Sequence, residues 1–551
     1  GQVKLTNTSK IPKKRHSHYK DRSLGPPPVA AEVDHGDHVF NGEPRLRLVP
    51  VRDVLPQVPF RLDESKKIDA PVYAPVDQLG PVLSQQVPVV TGNDMSSMLA
   101  AFNKRCNFHS DKSIAPNIVK RAKELARLVF PKTLAPYDWT QDIFDRWVVK
   151  FDYDKQRRMH EALARLHDCD FRTISTRSLM VKGEVLLKRN DTSWAPRIIY
   201  VGSDEYNVIT GPLQDEFNKR LNCALDEFSC PQVEGVCFAY TKKDHEIANF
   251  LSGPGRFYEG DFSANDKSQL REVHEIFAYW LRVSRAPKWY VELYKRLSST
   301  FDVRSYEYGL SATLSYQLAT GGTDTTGRNT VWNLSLWYAF VVEKKYKNTR
   351  VAVLGDDIAA RTLESGIRVN DWVDHCSSAG MRLKAHERKF YCDLTFLSRF
   401  FVPCGTENVM VPLIGKALCR FNARANRNQD VSDLEYMAGK SLSYAYEFRH
   451  VSYMRDHFLS RFRSTGVPCS SVKLHDLTWF ARQGVSGSQE TLQAALNDDL
   501  VLSDDEFLEV VMAKYDIGLY DMDYLCERLI LEDVPSVFSD ERYYAFEHEI
   551  A

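Results

Sequence analysis

No stretch of this 551-residue chain is apolar for long enough to cross a bilayer as a helix. The longest candidate, VWNLSLWYAFVV after Thr330, is shorter and more polar than the ~20 residues a span requires. The first residues are polar and rich in Lys and Arg, which predicts no secretory leader there. Eleven cysteines are scattered singly and no CxxC pair occurs, which argues against a structural zinc site and for a reduced, intracellular protein. Neither an internal repeat nor a long low-complexity segment is present.

What remains has the composition of a globular protein, 43% hydrophobic and 26% charged, long enough for a large core and two or three subdomains. The net charge of −1 conceals an uneven distribution. From Asp498 onward there are 16 Asp and Glu against three Lys and Arg, which leaves 69 basic and 57 acidic residues upstream. A basic body with an acidic end suits a protein that follows a phosphate backbone, although a solvated surface gives the same count.

Residues 1–75 read as a basic, Pro-rich extension. Lys10, Lys13, Lys14, Arg15, Lys20 and Arg22 cluster near its start, and Gly25–Pro28 breaks any helix. A segment wrapped over the body, an RNA-binding arm and a disordered linker all fit that composition. From about Met95 to Cys169 apolar residues recur at helical spacing, as in IVKRAKELARLVF. The stretches LMVKGEVLLK and APRIIYVG are β-rich. Beyond about Thr406 the chain is expected to turn helical again, beginning near Arg420.

Two segments carry carboxylates in a pattern that suits metal chemistry. RFYEGDFSANDKSQ reads as a short strand ending in Asp261, then a turn, with Asp266 five residues on. RVAVLGDDIAAR places Gly355, Asp356 and Asp357 between two apolar runs, the signature of a β-hairpin with adjacent carboxylates at its tip. Adjacent carboxylates repel unless a cation sits between them, and Mg²⁺ takes a few carboxylates plus substrate phosphates. A lone Asp pair at a turn is ordinarily just solvated; strand-forming residues on both flanks make this one informative. Between the two segments, LATGGTDTTGRNTVWNLSLWYAF reads as a Gly-rich loop and then a buried helix from about Thr326. Thr320, Thr325 and Asn329 suit either a nucleotide site or simple helix caps.

Taken in order, these segments resemble motifs A, B and C of positive-strand RNA virus RNA-dependent RNA polymerases. The matches are D-x4-D at Asp261 and Asp266, [ST]-G-x3-T-x3-N at Thr320, Gly321, Thr325 and Asn329, and GDD. The spacing agrees too, about sixty residues from the first to the second and about thirty-five from the second to the third. VKGEVLLK and APRIIYVG resemble motif F, GMRLKAHERKFY motif D and TFLSRFFVP motif E, so the likeness covers roughly residues 180 to 405. DEYNVITGPL and FLSRFF are most similar to the nodavirus and tombusvirus group, whereas DKSQ is similar to the alphavirus-like polymerases.

The resemblance implies an α+β right-hand fold. Fingers would span 76–255 and a palm 256–405 with an inserted fingers segment at about 268–318. A helical thumb with an acidic end would span 406–551. It further implies catalysis by Asp261, Asp356 and Asp357 with Lys384 as general acid. Two Mg²⁺ ions, replaceable by Mn²⁺, would be held by those aspartates and the main chain at Phe262. Lys182, Lys188 and Arg197 would face the triphosphate, and Asp266, Thr325 and Asn329 would read the ribose beside Thr320 and Gly321. The implied partners are template and product RNA, NTPs and other viral replication proteins, at membrane replication complexes in the host cytoplasm. A reverse transcriptase is the nearest enzyme alternative, but such enzymes carry aromatics where this chain has Asp266 and Leu354. A catalytically inactive RNA-binding scaffold is the alternative of another class, against which every acidic metal ligand is present.

Overall fold

The computed structural model describes residues 20–21, 28–33, 46–50, 57–63, 77–83, 88–90, 95–187, 195–363, 366–425, 430–474, 485, 487–546 and 549. Its central sheet has five strands in the order Val233–Phe238, Thr349–Leu354, Asp357–Thr362, Arg256–Ser263, Arg382–Arg388. The first pair is parallel and the others antiparallel. The two strands around Asp356 are buried at nearly every position instead of alternating, so both faces of the sheet must be covered.

One cover is the helix Thr325–Glu343, in which every residue from Gly327 to Val341 is buried. A helix buried on every side belongs inside a protein, and this is what the mostly apolar VWNLSLWYAFVV run becomes. No helix among the described residues is long and apolar enough to cross a membrane. Helices Pro116–Val129 and Arg271–Val283 pack on this buried helix, and Val369–Ser378 lies along the strand Arg382–Arg388. Trp337 and Trp372 lock the two layers edge to face, with ring centroids 5.1 Å apart.

A second sheet has six strands in the order Lys20–Asp21, Phe60–Leu62, Leu310–Ser315, Thr300–Ser305, Arg177–Val181, Ile198–Gly202. Within the N-terminal region, Pro28–Val33 and Leu46–Pro50 also pair, antiparallel. The edge strand Ile198–Gly202 is fastened to the loop before the buried helix, where the Tyr200 amide donates to the Thr320 carbonyl at 2.9 Å.

After Arg399–Cys404 the chain does not turn helical at once. Gly405, at φ 62°, reverses it into the strand Glu407–Pro412. The next helix is Ile414–Phe421, ending where the sequence suggested a helix would begin. The Asn422 amide donates to the carbonyls of Pro81 and Leu529, both at 2.8 Å, and the extended Ala423–Arg424 pairs with Asp77–Gln78. Tertiary hydrogen bonds thus override the local helical pattern. Helices Asp433–Glu447, Ser452–Ser464, Ser488–Leu496, Asp504–Tyr515 and Leu519–Cys526 follow. Ser432 and Ser503 start two of them with reciprocal capping boxes to Glu435 and Glu506. A charged cluster ties the helix Asp244–Leu251 to this region: Arg449 lies 3.1 Å from Asp244 and 3.2 Å from Asp498, and buried His450 bonds both carboxylates.

Candidate active site

Asp261 lies two residues before the end of its strand, Arg256–Ser263, and strand register decides what it meets. Gly260 pairs with Ile358 on one side, so one further step brings Asp261 opposite Asp357. On the other side Asp261 pairs directly with Lys384, which therefore shares its face of the sheet. Phe262, one residue on, points the other way and is buried. Leu354 pairs with Asp357, so Gly355 and Asp356 form a two-residue turn. Gly355 takes φ 61°, a conformation the first residue of such a turn requires and other residues resist.

The buried helix holds this turn from behind. The Gly355 amide donates to the Thr330 hydroxyl at 2.8 Å, and the Asn333 amide donates to the carbonyls of Gly355 and Asp357, each at 3.3 Å. Thr330 is fully buried and Asn333 nearly so. Sequence reasoning did not single out either residue. Their signal was two polar side chains, three residues apart, where the helix enters its mostly apolar run.

A polar patch stands beside the carboxylates. Asp266 follows Ala264, which takes the left-handed conformation at φ 50° and turns the chain out of the strand. The Thr320 hydroxyl and the amides of Asn265 and Asn329 all donate to the Asp266 carboxylate, the amides at 3.1 and 3.0 Å. Thr325 is directed elsewhere, its hydroxyl donating to the Ala319 carbonyl at 3.3 Å, so Thr320 supplies the hydroxyl on Asp266. Gly321, at φ 93°, lies so close to the edge strand that a Cβ would stand 3.0 Å from Ile199.

This combination is set in a chain of which residues 57–484 match the family described as RNA dependent RNA polymerase. The chain belongs to that family. It is also similar to the replicase large subunit of Potato mop-top virus (isolate Potato/Sweden/Sw), with 23% identity over 386 residues. That match covers 64% of this chain and 19% of the relative, so the chain spans about a fifth of the length of the replicase it matches.

The carboxylates of this polymerase family member suit divalent cations. Asp356 opens to solvent at the turn but has protein on its other sides. Burial, then the charges of Asp266 and Asp261, push its carboxyl up to about 6. Burial, then Asp356 and Asp261, push Asp357 up to about 7. Mutual repulsion among these carboxylates is the part of the shift that a bound cation would relieve. Among the described residues no group of three or more His, Cys, Asp or Glu encloses a metal position by itself.

Basic residues from distant parts of the chain converge on the same place. Arg197 acts electrostatically on Asp356, Lys416 on Asp357, and Arg105 on Asp266. Arg197 grips Glu184 through two nitrogens, at 2.7 and 2.5 Å, and Lys182 lies 3.6 Å from the same carboxylate. A cavity of about 470 Å³ is bordered by Lys182, Glu184, Arg197, Lys416, Arg420 and Lys440. Lys188 lies outside the described residues. Arg105, Glu184, Lys416 and Arg420 were not singled out from the sequence, since all but Glu184 lie outside the recognised motifs.

Proposed function

We propose that the chain copies viral RNA by template-directed nucleotidyl transfer at the cleft between Asp261 and the Asp356–Asp357 turn. The observation that carries this reading is the register that brings Asp261 opposite Asp357 with Lys384 as its other neighbour. The right-hand arrangement is part of the proposal: fingers at 76–255, a palm at 256–405 and a thumb beyond it. Strands of the inserted segment, Thr300–Ser305 and Leu310–Ser315, share one sheet with Arg177–Val181 and Ile198–Gly202, which supports grouping them as fingers. The strand Glu407–Pro412 pairs with Arg399–Cys404 and belongs with the palm side of that boundary.

Asp261 and Asp356 would hold two divalent cations, Mg²⁺ by expectation, with Asp357 assisting and the main chain at Phe262 completing the set. When bound, such ions acidify a primer 3′-hydroxyl and neutralise charge on pyrophosphate. The primer oxygen bonds to the α-phosphorus of the NTP while the bond from that phosphorus to its bridging oxygen breaks. Lys182, Lys188 and Arg197 hold the triphosphate, and Lys384 delivers a proton to the departing pyrophosphate. Asp266 and Asn329, with Thr320, Gly321 and Thr325 around them, read the ribose 2′-hydroxyl. Asp266 and Leu354 in place of aromatics favour ribonucleotides over the deoxyribonucleotides of a reverse transcriptase. The partners are template and product RNA and other viral replication proteins, at membrane replication complexes in the host cytoplasm.

Incubating the chain with an RNA template, labelled NTPs and Mg²⁺, with and without a primer, tests this. Template-length product that disappears with EDTA is expected. Absence of product under both conditions would leave an RNA-binding scaffold as the better reading.

A further inference from the structure

The polar patch continues inward from Asn329, and its hydrogen bonds have only one possible sense. Arg328 can only donate, and its Nε donates to Gln269 Oε1 at 2.8 Å. Gln269 must then present its amide nitrogen on its other side, where it donates to Asn329 Oδ1 at 2.6 Å. Asn265 donates to the same oxygen at 2.9 Å, so both lone pairs of the Asn329 carbonyl are occupied. Asn329 in turn directs its nitrogen at Asp266, whose carboxylate oxygens accept from Thr320, Asn265 and Asn329 alike. A residue that cannot accept thus stands at one end of the chain and an accepting carboxylate at the other. Neither amide between them can flip without breaking two hydrogen bonds.

The inner end is firmly held. Arg328, Gln269 and Asn329 are 1%, 2% and 6% exposed, so an unmatched polar atom among them would have no water to turn to. Arg328 also donates to the Tyr316 carbonyl at 2.7 Å and to the Tyr294 hydroxyl at 3.1 Å. That hydroxyl donates to Asp324 at 3.0 Å, which balances the buried cation.

We propose that Gln269 and Arg328 are positioning residues for sugar selection. They fix the Asn329 amide so that it has one N–H, and no carbonyl lone pair, left to offer a ribose. Beside it Asp266 Oδ2, which already accepts from Thr320, keeps a lone pair. A 2′-hydroxyl satisfies both at once, accepting from Asn329 and donating to Asp266. A 2′-deoxy sugar satisfies neither. The inference rests on the reading of Asp266 and Asn329 as the sugar site.

The test compares ATP and dATP incorporation by the full chain, wild type and three variants. Gln269→Glu keeps the shape and still accepts from Arg328, but it sets an acceptor against the Asn329 carbonyl. The ratio of kcat/KM for ATP over dATP should fall about tenfold, through a raised KM for ATP with the dATP constants little changed. Asn329→Ala should lower the ratio comparably. The double variant Gln269→Glu/Asn329→Ala should match Asn329→Ala alone, because the relay acts through that residue. If Asn329→Ala lowers the ratio and Gln269→Glu does not, the relay is wrong and the sugar site stands. If neither changes it, the sugar site and the relay both fall. Equal loss with both nucleotides would make Gln269 a purely structural residue and overturn the proposal. Should Gln269→Glu fail to fold, Gln269→Met removes the same hydrogen bond without a charge and is read by the same ratio.

Discussion

Thr330→Val removes one acceptor from behind the hairpin turn while keeping the branched shape of the side chain. The lost bond is the 2.8 Å one from the Gly355 amide, and Thr330 itself is fully buried. Leaving a buried amide unsatisfied costs roughly 1–3 kcal/mol. Gly355 is only partly buried, so water can reach the turn from the front and the lower part of that range, about 1–2 kcal/mol, is expected. The two bonds from Asn333 remain, but at 3.3 Å each they are long and restrain the turn weakly. The turn carries Asp356, and displacement of a catalytic group by about 1 Å can cost a hundredfold in rate. Urea unfolding should therefore show the stability loss, and single-turnover incorporation should slow by about ten- to a hundredfold with nucleotide affinity unchanged. Thr330→Ser, which restores the hydroxyl, should recover most of both. A Thr330→Val enzyme with normal single-turnover rate, stable or not, would refute the idea that this helix positions the turn.

Three further outcomes are expected. Gly321→Ala places a Cβ on a residue at φ 93° and 3.0 Å from Ile199, so it should destabilise by about 1–2 kcal/mol and weaken nucleotide binding; a melting curve matching wild type would contradict the tight approach of this loop to the edge strand. Burial alone would lower the pKa of His450, but its bonds to Asp244 and Asp498 raise it from 6.5 to about 9. Raised in the folded state, it contributes about 3 kcal/mol that is fully present below pH 6.5 and lost as pH rises through 9. The stability gap between wild type and His450→Gln in urea should thus narrow between pH 6 and about 9.5, and a gap that widens would be inconsistent with the cluster. Template affinity should fall steeply with salt, with a log–log slope of about −0.7 for each phosphate contact on a single strand; a flat response would count against a basic RNA channel.

The carboxylates were legible in the sequence because turn chemistry and strand patterning are local. Gly355 between two apolar runs is sufficient to announce a hairpin, and Asp261 lies in the strand that pairs with it, which runs two residues further than expected, to Ser263. The residues that hold these groups in place were not legible. Thr330 and Asn333 look like minor polar interruptions until the helix is laid against the turn. Arg105 and Lys416 reach the site from elements 156 and 155 residues away from Asp261. Thr320 and Thr325 are equally plausible partners for Asp266 by residue type, and only the path of the loop over Ile199 and Tyr200 decides between them. The helix expected near Arg420 fails for a related reason. Asn422 is held by Pro81 and Leu529, each more than a hundred residues away in the chain, and no window of local periodicity contains them.

The central claim is that Asp356 belongs to the chemistry and not to RNA binding. Wild type and Asp356→Ala, prepared alike, should be compared for template affinity and for nucleotide incorporation in Mg²⁺. The account predicts equal affinity for template RNA and no detectable incorporation by the variant. Substantial incorporation by Asp356→Ala would contradict it.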